Sequence, residues 1–396
     1  MQIYPLNTAK FELNQLPPLS LYIHIPWCIK KCPYCDFNSH NLGTTLPEDK
    51  YIQALVADLE QAVPLIWGRS IQTVFIGGGT PSLFSGDAIN QILSNVRSLT
   101  NLSPLAEITL EANPGTVDNE HIQDYSKVGI NRISFGVQSF NDIHLQTLGR
   151  IHDREAAIQA ITLAQKHFTN INLDLMYGLP DQTIEEVLID IDTALSFGIS
   201  HISAYNLTIE PNTAFHKNIP SGMPNNDLCY IMQDALIKQL ESSGGYARYE
   251  TSAYAKDSSQ CRHNLNYWQF GDYLGIGAGA HSKLSFQDKI IRQVRQKQPQ
   301  HYMGQVLVQK HILEEGVVQT KDLPFEFVMN NLRLIGGFST AMFVKRTGLS
   351  LNTLLPKLDL AVTRGFVTLR GEYVVPTKLG QDFLNDLLIL FLEDEK

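Results

Sequence analysis

The chain has 396 residues, 43% apolar and 18% charged, which allows two or three domains and excludes the charge-rich, aromatic-poor composition of disordered chains. Its 31 basic and 40 acidic residues leave a net charge of −9, which disfavours nucleic acid or an anionic membrane surface as the main partner. The opening residues carry no basic leader and no apolar run of signal length, and no stretch approaches the roughly 20 apolar residues of a membrane span, so a cytoplasmic protein is expected.

Taken in chain order, residues 1–20 read as an N-terminal extension. Residues 21–210 then alternate short apolar, β-branched runs with segments of helical period. The strands are predicted at Leu21–Pro26, Thr73–Ile76, Glu107–Glu111, Arg132–Phe135, Ile171–Leu175 and His201–Tyr205. In the first helix, Tyr51, Ile52, Leu55, Val56, Leu59 and Val63 make one apolar face, and similar patterns follow near 86–98, 118–128, 153–167 and 183–197. Six such units predict an α/β fold with a parallel sheet, either a partial (β/α)6 barrel or an open doubly wound sheet. Residues 211–310 are less regular and read as an accessory region with a helix near 226–242, the string Cys261–Trp268 and a glycine-rich turn at Gly275–His281. Residues 311–396 change to three helical segments, a two-strand ribbon (Phe366–Leu369 with Tyr373–Val375) and a last helix, which suggests a winged-helix-like module.

In either α/β architecture ligands gather beyond the carboxyl ends of the strands, and the unusual residues of this sequence follow the strands. The first strand leads to Cys28, Cys32 and Cys35, the second to Gly77-Gly78-Gly79-Thr80-Pro81, the third to Glu111-Ala112-Asn113-Pro114-Gly115. The fourth leads to Gly136-Val137-Gln138-Ser139-Phe140, and the fifth holds Asp174 before Tyr177-Gly178-Leu179-Pro180. Taken singly, such residues are ordinary turns and caps. Three cysteines within eight positions of a long chain point to metal rather than disulfides. Spaced C-x3-C-x2-C, they suit three irons of a [4Fe–4S] cluster whose fourth iron stays open. The alternative is zinc, with His24 or His40 as fourth ligand.

The segment LYIHIPWCIKKCPYCDFNSH, together with GGGTPS, LEANPGT, FGVQSF, DLMYGLP and RHNLNYW, resembles the radical S-adenosylmethionine (SAM) superfamily, and within it the oxygen-independent coproporphyrinogen oxidase group. The resemblance implies a [4Fe–4S] cluster on Cys28, Cys32 and Cys35 with SAM on the open iron. It also implies a SAM site that includes Gly78, Gly79 and Thr80 at the methionine end and Glu111 and Asp174 for the amino group and ribose. Gln138 would add a contact, Arg150 would meet the methionine carboxylate, Phe37 would pack on adenine and Tyr22 would lie toward sulfonium and substrate.

The oxidases of that group carry a further cysteine two residues after the triad and a longer leader. Here the place is Phe37, and 27 residues precede Cys28. His263-Asn264-Leu265-Asn266-Tyr267-Trp268 instead resembles the HNxxYW motif of the group's heme-chaperone branch. That branch implies heme as cargo and heme-accepting apoproteins as partners, with His263 as candidate iron ligand and Tyr267 and Trp268 covering the macrocycle. The competing readings are porphyrinogen decarboxylation, a radical SAM reaction on another substrate, and a motif that is only core packing. His281 and Cys261 are further ligand candidates, and Cys229 reads as a small buried residue. The wing and Arg333 lack the dense basic patch of a DNA-binding surface. The apolar run Leu387–Leu392 reads as core packing, with a peripheral membrane contact or a homodimer contact as the alternative.

Overall fold

The computed structural model describes residues 11–392 apart from 67, 243, 244 and 257, so the first half of the expected N-terminal extension, residues 1–10, and the last four residues lie outside the described residues. The six expected strands are β1 (Leu19–Ile25), β2 (Ser70–Gly78), β3 (Asn101–Ala112), β4 (Arg132–Gln138), β5 (Ile171–Tyr177) and β6 (His201–Asn206). Each pairs in parallel with the next. The crossovers carry α1 (Glu48–Ile66), α2 (Gly86–Leu99), α3 (Asn119–Val128), α4 (Asp142–Thr147), α5 (Arg154–Ala164) and α6 (Ile184–Ser196).

The local chemistry explains these elements. Leu19, Leu21, Ile23 and Ile25 share one face of β1 and are buried, and Ser20 and His24 on the other face are buried too, as expected for a parallel strand covered on both sides. In α1 the predicted face is inward, with Tyr51, Ile52, Leu55 and Leu59 buried. Helix starts are fixed by side-chain caps: Ser85, Asp118 and Asp153 each accept a backbone N–H, and Thr183 forms a capping box with Glu186.

The region 211–310 differs from the sequence expectation. Its residues, together with Ile312–Val317 just past its expected end, build both margins of a single 12-stranded sheet. On one side β7 (Ala247–Arg248) and β8 (Ala253–Ala255) continue antiparallel from β6. On the other, β9 (Asp272–Ile276) pairs in parallel with β1, followed antiparallel by β10 (His281–Ser285), β11 (Ile290–Arg295) and β12 (Ile312–Val317). These strands were illegible because polar residues occupy their buried positions. Lys283 and Arg295 are buried and paired with Asp272 and Asp58. β6 and β9 are not hydrogen-bonded to each other, so the parallel part is open rather than a closed barrel.

A second apolar core holds the C-terminal module: α7 (Leu323–Asn331), α8 (Thr340–Thr347), α9 (Leu355–Thr363) and a sheet of β13 (Phe338–Ser339), β14 (Val367–Arg370) and β15 (Tyr373–Pro376). The expected ribbon thus gains a third strand, β13, which pairs with β15. Phe327 meets Phe338 and Phe343 edge-on at 5.0 and 5.2 Å in its centre. In the last apolar run Leu387, Leu388 and Phe391 join this core, whereas Ile389 and Leu392 face outward.

The Asp58 carboxylate, fully buried on α1, ties this helix to the β9–β12 margin. It accepts from Gly277 N at 3.1 Å, Tyr302 Oη at 2.8 Å, Arg295 Nη2 at 3.2 Å and His311 Nε2 at 3.0 Å. Removing one partner strands buried charge, so Asp58→Ala should cost about 3–5 kcal/mol. Urea unfolding measures this, and a loss below about 1 kcal/mol would contradict the assignment.

Candidate functional site

Beyond β1 the chain forms a loop closed by a two-residue parallel ribbon, Trp27–Cys28 with His40–Asn41. Its base is fixed by Leu42 N donating to Cys28 O and Thr80 N donating to Trp27 O, both at 2.7 Å. Cys28, Cys32 and Cys35 are half-buried free thiols, and all three line one cavity of about 380 Å³, within the size range of small-molecule sites. Arg150 Nη1 donates to Cys32 Sγ at 3.5 Å. Burial pushes the Cys28 and Cys35 thiols up, opposed at Cys28 by a Thr80 hydrogen bond and at Cys35 by hydrogen bonds from the Phe37 backbone and Ser39.

The donor set fits a cluster better than zinc. Among the described residues, no three His, Cys, Asp or Glu side chains are gathered to hold a single metal ion. His24 spends both ring nitrogens elsewhere, Nε2 on Asn38 O at 2.8 Å and Nδ1 on Tyr22 Oη at 3.0 Å. Burial lowers its pKa to about 4, so it is neutral. His40 places Nε2 3.3 Å from Lys297 O. Three thiols without an imidazole are the set that leaves one iron of a cluster open.

The far wall of the cavity comes from the strand ends. Gly78, Gly79, Thr80, Glu111, Gln138, Arg150 and Asp174, each singled out in the sequence, line it together with Phe37. The glycines have a structural partner as well: a Cβ on Gly78 would lie 2.5 Å from the His24 ring, and one on Gly79 2.6 Å from Trp27 O. Gly78 N donates to Glu111 Oε2 at 3.1 Å. Gln138 holds a left-handed backbone, φ 71°, an unusual state for a non-glycine residue at a cavity wall. Arg150 donates through Nη2 to Gly136 O at 2.6 Å, while its buried Nε has no partner among the described residues. Phe37 is 60% exposed at the rim beside exposed Ile29.

Asp174 accepts from Ser134 Oγ and Asn172 Nδ2, both at 2.9 Å. Burial and the Asp174 charge push Glu111 up to about 7, and burial also raises Asp174. Two carboxyls held short of water make a wall that a cationic or hydroxyl-rich ligand would stabilise. Sequence reasoning missed Arg132, Ser134, Asn172, Ser203 and Tyr205, which share the inward face. The available signal was polar residues at every second position of strands that are otherwise apolar, as in Asn172 and Asp174.

Tyr22 lies deeper. With Phe75, Arg132, His263 and Tyr267 it lines an inner chamber of about 190 Å³, which shares Glu111, Ser134, Asp174 and Tyr205 with the outer cavity. His263 belongs to a short helix, Arg262–Trp268, whose N-terminus is capped by the Glu107 carboxylate through Arg262 N at 3.2 Å and His263 N at 3.0 Å. Thr73 Oγ1 donates to Ser20 and lies 2.8 Å from His263 Nδ1, so it accepts the Nδ1 proton and leaves Nε2 with a bare lone pair. Nε2 has no partner among the described residues, and burial, with Arg132 nearby, lowers the pKa to about 3.

Tyr267, one helical turn on, packs edge-on against His263 at 5.1 Å. Trp268 does not join them. The further rotation of about 100° per helical residue carries it away, and its ring instead faces the Arg333 guanidinium at 5.1 Å. The expected aromatic wall beside His263 is therefore Tyr267 with Phe75, without Trp268. His281 lines neither cavity. Cys261 lines neither as well: its thiol donates to Glu107, and burial pushes it up to about 11. Cys229 is half-buried under the β5 end, 3.3 Å from where a Gly178 Cβ would stand.

This arrangement of parallel strands around a three-thiol loop defines the Radical SAM superfamily, which residues 22–194 match. Residues 318–383 match the HemN C-terminal domain. Membership of the superfamily implies a [4Fe–4S] cluster and SAM. Among curated proteins the chain is 48% identical to Heme chaperone HemW of Escherichia coli K12, over 96% of this chain and 100% of that one. It is 47% identical to Heme chaperone HemW of Haemophilus influenzae, over 97% and 100%, and 33% identical to that of Bacillus subtilis, over 94% and 99%. The chain belongs to the heme chaperone HemW family. In fold it is similar to the solved coproporphyrinogen III oxidase HemN of Escherichia coli, with a TM-score of 0.81 over 98% of this chain and 96% of that one at 23% identity.

Glu111 offers a test of the electrostatics. Its folded pKa of about 7 lies above the ordinary value of 4.5, so between these the native state holds a proton that the unfolded chain has released. Stability then falls as pH rises through that window. Glu111→Gln should remove this term, so wild type should lose more melting temperature than the variant between pH 5 and 8. Parallel pH profiles of the two would show Glu111 to titrate normally.

Proposed function

We propose that the chain is a cytoplasmic heme chaperone of the radical SAM type, which binds heme and passes it to apoproteins. The observation that carries this reading is the convergence of three free thiols and the polar ends of β2–β5 on one cavity. In it Cys28, Cys32 and Cys35 hold the cluster, and the wall opposite them holds SAM. Arg150, with an unpaired Nε, meets the methionine carboxylate, and Gln138 adds a neighbouring contact. Glu111 and Asp174 accept from the amino group and the ribose. Gly78 and Gly79 keep the backbone close to the methionine end, with Thr80 as a hydrogen-bonding neighbour. Phe37 at the rim covers the adenine, and Tyr22 faces the inner chamber from below. When bound, the cluster would supply one electron to SAM.

Relatives named as heme chaperones, alike over nearly the whole chain, support heme rather than coproporphyrinogen as the ligand. Phe37 at the cavity rim supports the same choice, since the oxidases carry cysteine at that place. For the heme iron, His263 has the chemistry of an axial ligand: it is neutral, its Nδ1–H is fixed by Thr73, and its Nε2 has no partner among the described residues. It is also the histidine that lines either of the two cavities described here. His263 opens onto a chamber of about 190 Å³ that Tyr22, Tyr205 and Tyr267 also line.

Anaerobic reconstitution should give about four irons and four sulfides per chain, and Cys32→Ala should abolish both. Stoichiometric zinc without iron–sulfur absorbance would refute the cluster.

Heme should bind at micromolar affinity or tighter, about −8 kcal/mol or better, with little protoporphyrinogen formed from coproporphyrinogen. His263→Ala should shift the Soret band and weaken heme at least about tenfold, leaving iron content unchanged. An unchanged Soret band would exclude His263 as ligand, and rapid decarboxylation would restore the oxidase reading.

A further inference from the structure

The glycine-rich turn after β9 has no part in the reading above, yet it meets the cysteine loop directly. Asn38, three residues beyond Cys35, donates through Nδ2 to Ala278 O at 2.9 Å and to Lys297 O at 2.8 Å. Its own carbonyl accepts from His24 Nε2 at 2.8 Å. Both ends of Asn38 are thus spent on holding the distal arm of the loop against the turn and against β1.

The turn is shaped to receive it. Gly279 has φ +80°, and a Cβ there would stand 2.3 Å from Asn38 Nδ2. Gly277 has φ +103°, and its Cβ would stand 2.5 Å from His24 O. Both the backbone conformation and the close approach demand glycine. Behind the turn, Gly277 N donates to the buried Asp58 at 3.1 Å, and Ala278 N to Tyr51 Oη at 2.9 Å. Tyr51 Oη in turn donates to His24 O at 2.7 Å. A fully buried frame therefore fixes the turn, and the turn holds a half-buried loop arm in front of it.

We propose that Asn38 is a positioning residue for the cluster: its amide latches the Cys35 arm to the Gly277–Ala280 turn and so fixes the third thiol relative to the other two. The proposal rests on the cluster reading of the cysteines. A ligand arm that swings by even about 0.5 Å spoils a metal-binding constellation. The base of the loop is tied by main-chain bonds from Thr80, Leu42 and His40, and Lys31 Nζ braces the arm from within the loop through Phe37 O and Ser39 O; the Asn38 amide is what joins the arm to the Gly277–Ala280 turn.

The test uses the full chain with Asn38→Ala, Asn38→Asp and Gly279→Ala. Asparagine and aspartate have the same shape, but a carboxylate cannot donate to Ala278 O and Lys297 O. In reconstituted protein, iron transfer to a ferrous chelator should be about tenfold faster in all three variants, with an altered electron paramagnetic resonance signal of the reduced cluster. In apoprotein, alkylation of Cys35 relative to Cys28 should rise by a similar factor, with the melting temperature of Asn38→Ala near that of wild type. Wild-type iron loss and Cys35 alkylation in Asn38→Ala would overturn the latch. Rescue by Asn38→Asp would equally overturn it, by showing that shape rather than donation is what matters. A wild type that takes up no cluster would instead refute the reading of the cysteines and the proposal with it.

Discussion

The parallel pairing of β1 with β2 on one side and β9 on the other is the constraint on which the site depends. Ile23 lies opposite Ile76 and Ile276 in these two ladders, so the end of β1 emerges between two glycine-rich turns. The cysteine loop begins there. One turn, Gly77–Thr80, closes on Trp27 and His24, and the other, Gly277–Ala280, closes on His24 and Asn38. A one-residue slip would reverse the side chains of a strand and would carry the thiols away from Glu111 and Arg150.

The inward face of the sheet is polar where stability alone would make it apolar. Arg132, Asn172, Asp174 and His263 are held among strands whose other positions are Ile, Leu and Val; burial raises the Glu111 and Asp174 carboxyls, and Arg132 Nε, Arg150 Nε and His263 Nε2 have no partner among the described residues. Such groups are costly when unsatisfied. Arg150 borders the outer cavity, and Arg132 and His263 border the inner one. In the sheet margins buried charge is matched: Asp58 and Asp272 each gather several donors, and those networks tie the added margins of the sheet to its centre.

Much of this was written in the sequence. The βα alternation, the three cysteines and the strand-end residues Glu111, Gln138 and Asp174 were legible because strand period, helix period and the rule that ligands sit at strand ends are local or nearly local properties. The cysteine spacing narrowed the metal to an iron–sulfur cluster or zinc, and the resemblance of the HNxxYW string pointed to the heme-chaperone branch.

The tertiary structure decided what depends on partners far away in sequence. It turned residues 247–317 into sheet margins, because Lys283 and Arg295 could be buried only once Asp272 and Asp58 were brought to them. It separated Trp268 from His263, because helix rotation and the Arg333 contact settle which way an aromatic faces. It left His263 Nε2 bare, because Thr73 on another strand takes the Nδ1 proton. And it gave the Gly277–Ala280 turn a partner in Asn38, across 240 residues of chain: sequence by itself marks a glycine as necessary, but only the folded neighbour says what the missing side chain makes room for.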